Sequence, residues 1–309
     1  MIKLSNVSKS YDGHEAVKNI SLHIKKGEFI ILLGPSGCGK STTLRLINKM
    51  IERSSGEIYV QDENIDSIKE ETLRKNIGYV IQSIGLFPHM TVALNISTVP
   101  LLKKWDKKRI EERTEEMLSL VGLSPKVYLK KYPHELSGGE AQRIGVARAL
   151  ASDPEILLMD EPFGAVDPIN RVRLQKEFKE IQKKLHKTVI FVTHDVEEAL
   201  FLGDRICIMR EGEIIQVDTP SEIVLHPKDE FIRDFFQGEG VLSLLGRYNA
   251  KDFIEEIPAT GESLAENATL KEALSEIILR QNERIPMKDG SISLQVIMEA
   301  VWRGEHEKV

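Results

Sequence analysis

Hydrophobic and polar residues alternate over residues 1–28, with Ile2 and Leu4, then Val17, Ile20, Leu22 and Ile24, on one face. A period of two predicts antiparallel strands with one solvated side. At Phe29–Leu33 the alternation gives way to an unbroken apolar run, the pattern of a strand covered on both faces. Residues 156–159 and 189–192 repeat that pattern, and 78–81 reads as a further short strand. Between these runs, residues 91–122 and 137–151 carry helical spacing. Within 107–121 the residues Ile110, Met117, Leu118 and Val121 share a face, and Gly122 stands where it can cap the end. Buried strands interleaved with helices predict an α/β fold around a mixed central sheet, with an N-terminal antiparallel β subdomain and a helical insertion. Further on, 205–209 and 213–217 flank Glu211-Gly212, a hairpin signal.

After a helix ending near Phe236, Gly238 and Gly240 interrupt the pattern. This predicts a large domain over 1–237 and a tail over 242–309. The tail carries a helical stripe of Ala273, Leu274, Ile277 and Ile278 and a late helix over 296–301, a small α+β unit. A chain of 309 residues is long for one compact core, which supports the division. Its 41% hydrophobic and 29% charged residues argue for folding throughout. The net charge of -6 argues against nucleic acid as a partner. Cys38 and Cys207 lie in unrelated contexts without metal-ligand spacing, so a reducing cytoplasm is expected. The N-terminus lacks the apolar centre of a signal peptide, and no run reaches the roughly 18 apolar residues of a membrane span. Any pore would be supplied by other chains.

The candidate chemistry begins at Gly34-Pro35-Ser36-Gly37-Cys38-Gly39-Lys40-Ser41-Thr42, after the buried strand and before a helical segment over 42–50. Spacing and flanks match the Walker A phosphate loop. Its glycines let backbone N–H groups close on phosphate oxygens, and the helix N-terminus adds a favourable dipole. Lys40 is expected to bridge the β- and γ-phosphates of a nucleotide, and Ser41 to hold Mg²⁺. Asp160 and Glu161 follow an apolar run and so sit at the carboxyl end of a central strand, where open α/β sheets bind ligands. Asp160 is the expected Mg²⁺ carboxylate, directly or at one remove. Glu161 can polarise the water that attacks the γ-phosphate. These motifs alone leave a kinase, a helicase and a GTPase open.

The segment Leu136-Ser137-Gly138-Gly139-Glu140 narrows the choice. Ser137 and Glu140 have the spacing of a capping box, Gly138 and Gly139 expose backbone N–H groups, and Ala141, Gly145, Ala147 and Ala149 continue the helix. It is a second anion-receiving helix start, with no strand before it. The segment resembles the signature of the ABC ATPase superfamily, a P-loop NTPase family, and the resemblance covers about 1–237. In that family the signature of one subunit contacts the ATP on the Walker A loop of the other. The resemblance therefore implies a head-to-tail dimer of this chain holding two ATP molecules, with Mg²⁺. It implies further that Tyr11 stacks on adenine, that Gln82 reaches Mg²⁺ and senses the pore subunit, and that His194 contacts the γ-phosphate. Gly164-Ala165-Val166-Asp167 resembles the family's D-loop, with Gly164 and Val166 as departures and Asp167 retained. Glu140-Ala141 stands where a pair of glutamines is common.

Residues 194–200 resemble those of bacterial importers, whose ATPase docks on a separate permease. Residues 78–91, with Val99, Pro100 and Trp105, are similar to the glycine betaine, carnitine and choline importer ATPases. The resemblance implies ATP hydrolysis coupled to import, permease subunits and, indirectly, an extracytoplasmic binding protein as partners, and a peripheral place on the cytoplasmic face of the membrane. Import of another small polar solute such as an amino acid stays open. A non-transport ABC ATPase of DNA repair or translation is the competing class; those carry coiled-coil insertions or paired cassettes, which this chain lacks. In the tail, 268–274 and Ile285-Pro286 resemble a single CBS motif; a dimerisation appendage without a ligand is the alternative.

Overall fold

The computed structural model describes residues 1–81, 85–164, 166–236, 240–280 and 282–303. The chain divides into two compact units, one of Met1–His194 with Cys207–Ile215, the other of Asp195–Ile206 with Gln216–Val309.

The first unit opens with β1 (Ile2–Tyr11) and β2 (His14–Ile24). They pair antiparallel with Ile2 opposite Ile24 and Leu4 opposite Leu22, so the alternating apolar positions fall on one side. Next come β3 (Phe29–Leu33), α1 (Lys40–Ile47), β4 (Ser55–Val60), β5 (Glu63–Asn64), α2 (Glu70–Asn76) and β6 (Ile77–Val80). The helical insertion holds α3 (Val92–Leu102), α4 (Lys107–Leu120), α5 (Pro125–Tyr128) and α6 (Gly138–Ala151). The unit's core is completed by β7 (Ile156–Asp160), α7 (Pro168–Leu185) and β8 (Thr188–Thr193). Residues 91–122 do not form one helical stretch. Lys104 takes a left-handed φ of 56°, and the Asp106 carboxylate accepts the Arg109 N–H at 2.9 Å to start α4. An N-cap aspartate restarts a helix by taking one of its orphan donors.

The chain continues through α8 (Val196–Leu202), β9 (Arg205–Arg210) and β10 (Glu213–Asp218). Between β9 and β10, Glu211 and Gly212 both have positive φ, 51° and 88°, the conformation of a tight two-residue hairpin. One sheet has the order β2-β1-β4-β5 and the other β10-β9-β3-β8-β7-β6. In the larger sheet β3, β8, β7 and β6 run parallel. Every residue of β3, β7 and β8 is buried, as expected for parallel strands covered on both faces. The register sets Leu33 beside Thr193 and Asp160 beside Val192, so three strands end level and the residues after them share one edge.

The second unit adds α9 (Pro220–Leu225), α10 (Glu230–Phe235), α11 (Gly240–Leu245), α12 (Leu270–Arg280), the hairpin β11 (Arg284–Met287) and β12 (Gly290–Ser293), and α13 (Leu294–Arg303). The expected boundary at 237–240 falls largely outside the described residues. The tail has its own core, with Leu270, Ala273, Ile277, Ile285, Ile292 and Ile297 buried together. Within the same unit α8 is held at both ends. Glu197 pairs with Lys271 at 3.1 Å and accepts the Ser243 hydroxyl at 3.1 Å. Arg247 donates to the carbonyls of Leu200 and Gly203 at 2.8 and 2.6 Å, a cationic cap on orphan carbonyls. Among the described residues no helix is long and apolar enough to cross a membrane.

The stripe expected on α12 is narrower than its pattern: Ile277 is buried but Ile278 is 64% exposed. Ile277→Ala should cost about 2–5 kcal/mol in urea unfolding, and Ile278→Ala should stay within about 0.5 kcal/mol. Equal costs would contradict the packing of the tail.

Candidate functional site

The loop after β3 is built around glycines that no other residue could replace in place. Gly34 has φ 153°, and a Cβ there would lie 2.1 Å from the Met209 carbonyl oxygen. Gly39 has φ 102°, with the Ala16 carbonyl 2.5 Å from a would-be Cβ. As the N-cap of α1, Gly39 offers no side-chain hydrogen bond. No N-cap side chain therefore competes with an anion for the start of that helix, which is how helix starts take phosphate. Pro35, Ser36 and Gly37 are exposed at the loop's crest, whereas Cys38, Gly39 and Lys40 are buried; Ser41 and Thr42 are partly exposed. Burial pushes the Cys38 thiol up despite the Lys40 charge beside it. The Lys40 ammonium spans the loop, donating to the Gly34 and Pro35 carbonyls at 2.6 and 2.8 Å.

The Ser41 hydroxyl donates to Asp160 Oδ1 at 2.6 Å, joining the start of α1 to the end of β7. Burial raises the Asp160 carboxyl, partly offset by the Ser41 hydrogen bond and the Arg45 charge. The same burial, with the Asp160 charge, pushes the Tyr79 phenol up to about 12. A hydroxyl beside one carboxylate suits Mg²⁺, which needs few protein oxygens and no all-protein cage.

Glu161 turns the chain out of β7 with a left-handed φ of 43°, a conformation rare outside glycine and concentrated at functional sites. Its N–H is tied to the Val192 carbonyl at 3.0 Å. Its Oε1 lies 3.3 Å from His194 Nδ1. Phe163, two residues on, packs its ring 5.7 Å from Phe191 and 6.2 Å from Phe178, anchoring the loop from beneath. Sequence reading passed over Phe163; its one signal is its place behind Asp160-Glu161-Pro162.

Ser137 caps α6: its Oγ accepts the Glu140 N–H at 3.3 Å, and Glu140 Oε2 accepts the Ser137 N–H at 2.7 Å. Gly138 and Gly139 form the first turn, facing an open cavity of about 510 Å³ whose lining also includes Asp167, Arg143 and Arg173. Asp167 caps α7, accepting the Asn170 N–H at 3.1 Å. The Tyr11 ring is exposed at the end of β1, with the Lys9 ammonium 4.7 Å from its centre. Gln82 lies outside the described residues. The site thus gathers Lys40, Ser41, Asp160, Glu161 and His194 at one sheet edge and keeps Ser137–Glu140 in a cavity of its own.

A parallel sheet with a phosphate loop after β3 and acids after β7 defines a P-loop nucleoside triphosphatase. The ABC transporter family matches residues 17–164. The choline transport ATP-binding protein OpuBA of Bacillus subtilis is 50% identical over 287 residues, 92% of this chain and 74% of that protein. The glycine betaine uptake system ATP-binding protein YehX of Escherichia coli is 46% identical, covering 93% of this chain and 94% of that protein. A dimeric post-hydrolysis structure of the ATP-binding cassette MJ0796 with ADP and Pi superposes with a TM-score of 0.65 at 33% identity, over 71% of this chain and 98% of that one. This chain belongs to the ATP-binding proteins of ABC transporters, and it is an ATPase of that type.

Gly34→Ala should abolish ATP binding and cost about 2–4 kcal/mol of stability, because the Met209 carbonyl leaves no room for a methyl group. Nucleotide titration and thermal unfolding check this; wild-type affinity would contradict the geometry.

Proposed function

We propose that this chain powers an importer of quaternary ammonium osmoprotectants such as glycine betaine, carnitine or choline. The reading rests on the convergence of Lys40, Ser41, Asp160, Glu161 and His194 on one sheet edge, together with the names carried by relatives that align along nearly the whole chain. Pro35, Ser36, Cys38 and Thr42 complete the phosphate loop, and Lys40 leaves its carbonyl partners for the β- and γ-phosphates. Tyr11 stacks on adenine with its exposed ring. Ser41, Asp160 and Gln82 would hold Mg²⁺, which when bound would supply positive charge against the phosphates.

Glu161 takes the proton of the attacking water, and His194, 3.3 Å from it, both orients Glu161 and meets the γ-phosphate. Two copies pair head to tail, each lending Ser137, Gly138 and Gly139 to the other's ATP and Asp167 to communication across the pair. Closure on ATP drives the permease, and hydrolysis reopens the pair. The chain acts peripherally on the cytoplasmic face through that permease. The tail over 242–309 serves as a single CBS-like regulatory unit or as a dimerisation appendage beside the 1–237 motor domain.

Glu161→Gln should keep ATP binding and lose on the order of 10²–10³-fold in turnover, and Lys40→Ala should lose nucleotide binding. Near-normal turnover in Glu161→Gln would remove Glu161 as the base. Deletion of the gene should abolish osmoprotectant uptake, and the wild-type gene should restore it; unchanged uptake of betaine and choline would remove the substrate class.

A further inference from the structure

The signature start carries a charge of the wrong sign for its task. Glu140 stands in the first turn of α6, where an incoming polyphosphate would meet the free amides of Gly138 and Gly139. An unrestrained carboxylate there would repel the phosphate. In the structure both carboxylate oxygens are engaged. Oε2 accepts the Ser137 N–H at 2.7 Å, and Oε1 accepts the Tyr128 hydroxyl from the end of α5. The Ser137 hydroxyl oxygen accepts the Glu140 N–H.

We propose that Tyr128 is a positioning residue that holds the Glu140 carboxylate back from the approach to the signature, and so makes a glutamate compatible with polyphosphate binding there. The inference rests on the reading that the signature receives the partner's ATP. It also accounts for the departure at this position. A glutamine would bring no charge and would need no restraint, whereas a glutamate needs a donor placed to draw it aside.

The surroundings act in the same direction. The Tyr128 hydrogen bond is the foremost cause holding the Glu140 carboxyl below its usual range, with the Ser137 N–H and the Lys131 charge adding to it. The Lys131 ammonium lies 4.4 Å from the centre of the Tyr128 ring. Arg143 is turned to the Val121 carbonyl at 3.0 Å and to Glu177 at 3.0 Å, while Arg173 and Asp167 line the same cavity. Tyr128 is the foremost of these, donating directly to Glu140 Oε1.

The test uses full-length chains in a Glu161→Gln background and reads ATP-driven pairing by analytical ultracentrifugation, with ATP binding to the single chain measured alongside. Tyr128→Phe should leave ATP binding to the single chain unchanged and weaken pairing on the order of five- to ten-fold at low salt, the loss shrinking as salt screens the repulsion. Glu140→Gln added to Tyr128→Phe should restore pairing, because the amide carries no charge to restrain. An equal loss in both backgrounds would make Tyr128 a packing residue and overturn the proposal, as would no loss at all. If the Glu161→Gln parent itself fails to pair on ATP, the dimer reading fails first and the proposal falls with it.

Discussion

The constraint on which the site depends is the release of backbone amides at a buried strand end. Phosphate is held by main-chain N–H groups most readily where the helix start is open and no Cβ crowds the turn. Gly34 and Gly39 meet both conditions, each packed against a neighbouring carbonyl that would collide with a methyl group. The loop has its fixed place because β3 lies inside the sheet, between β9 and β8. The same parallel register ends β7 and β8 level with β3, and this brings Asp160, Glu161 and His194 to the loop without any long-range design of their own.

Two helix starts in this chain have opposite solutions to the same problem. At α1 the N-cap is a left-handed glycine without a side-chain hydrogen bond, so the amides depend on a ligand. At α6 a capping box satisfies two amides, those of Glu140 and Ser137, and stiffens the turn, leaving the glycine amides beside an open cavity. An uncapped start suits a tightly held nucleotide, and a pre-stiffened start suits a surface that must be ready before its ligand arrives with another subunit. Farther along, α8 begins two residues after His194 and is gripped by Lys271, Ser243 and Arg247 of the tail unit. The helix that follows His194 in the chain thus belongs to the tail's unit.

Much of this was legible in the residues. Alternation and unbroken apolar runs gave the strands their faces, and Glu211-Gly212 marked the hairpin, because those signals are local and the structure uses them locally. The break between α3 and α4 was hidden by continuous helical spacing; only the Asp106 cap and the left-handed Lys104 betray it. Ile278 fell within the helical stripe since four apolar positions at helical spacing span a wide arc, and the tail covers only part of it. Phe163 and Tyr128 escaped notice for a different reason. Their partners, Phe191 and Phe178 for one and Glu140 for the other, are distant in sequence or lie beyond a turn, so no spacing rule points to them.

The central claim is that each working site is shared between two copies of the chain. The direct measurement mixes two inactive variants, Lys40→Ala and Gly139→Asp, and follows ATP hydrolysis. In a head-to-tail pair the Lys40→Ala chain supplies an intact signature to the intact Walker A loop of the other chain, so the mixture should recover activity that neither variant has alone. A mixture as inactive as its parts would contradict the shared site.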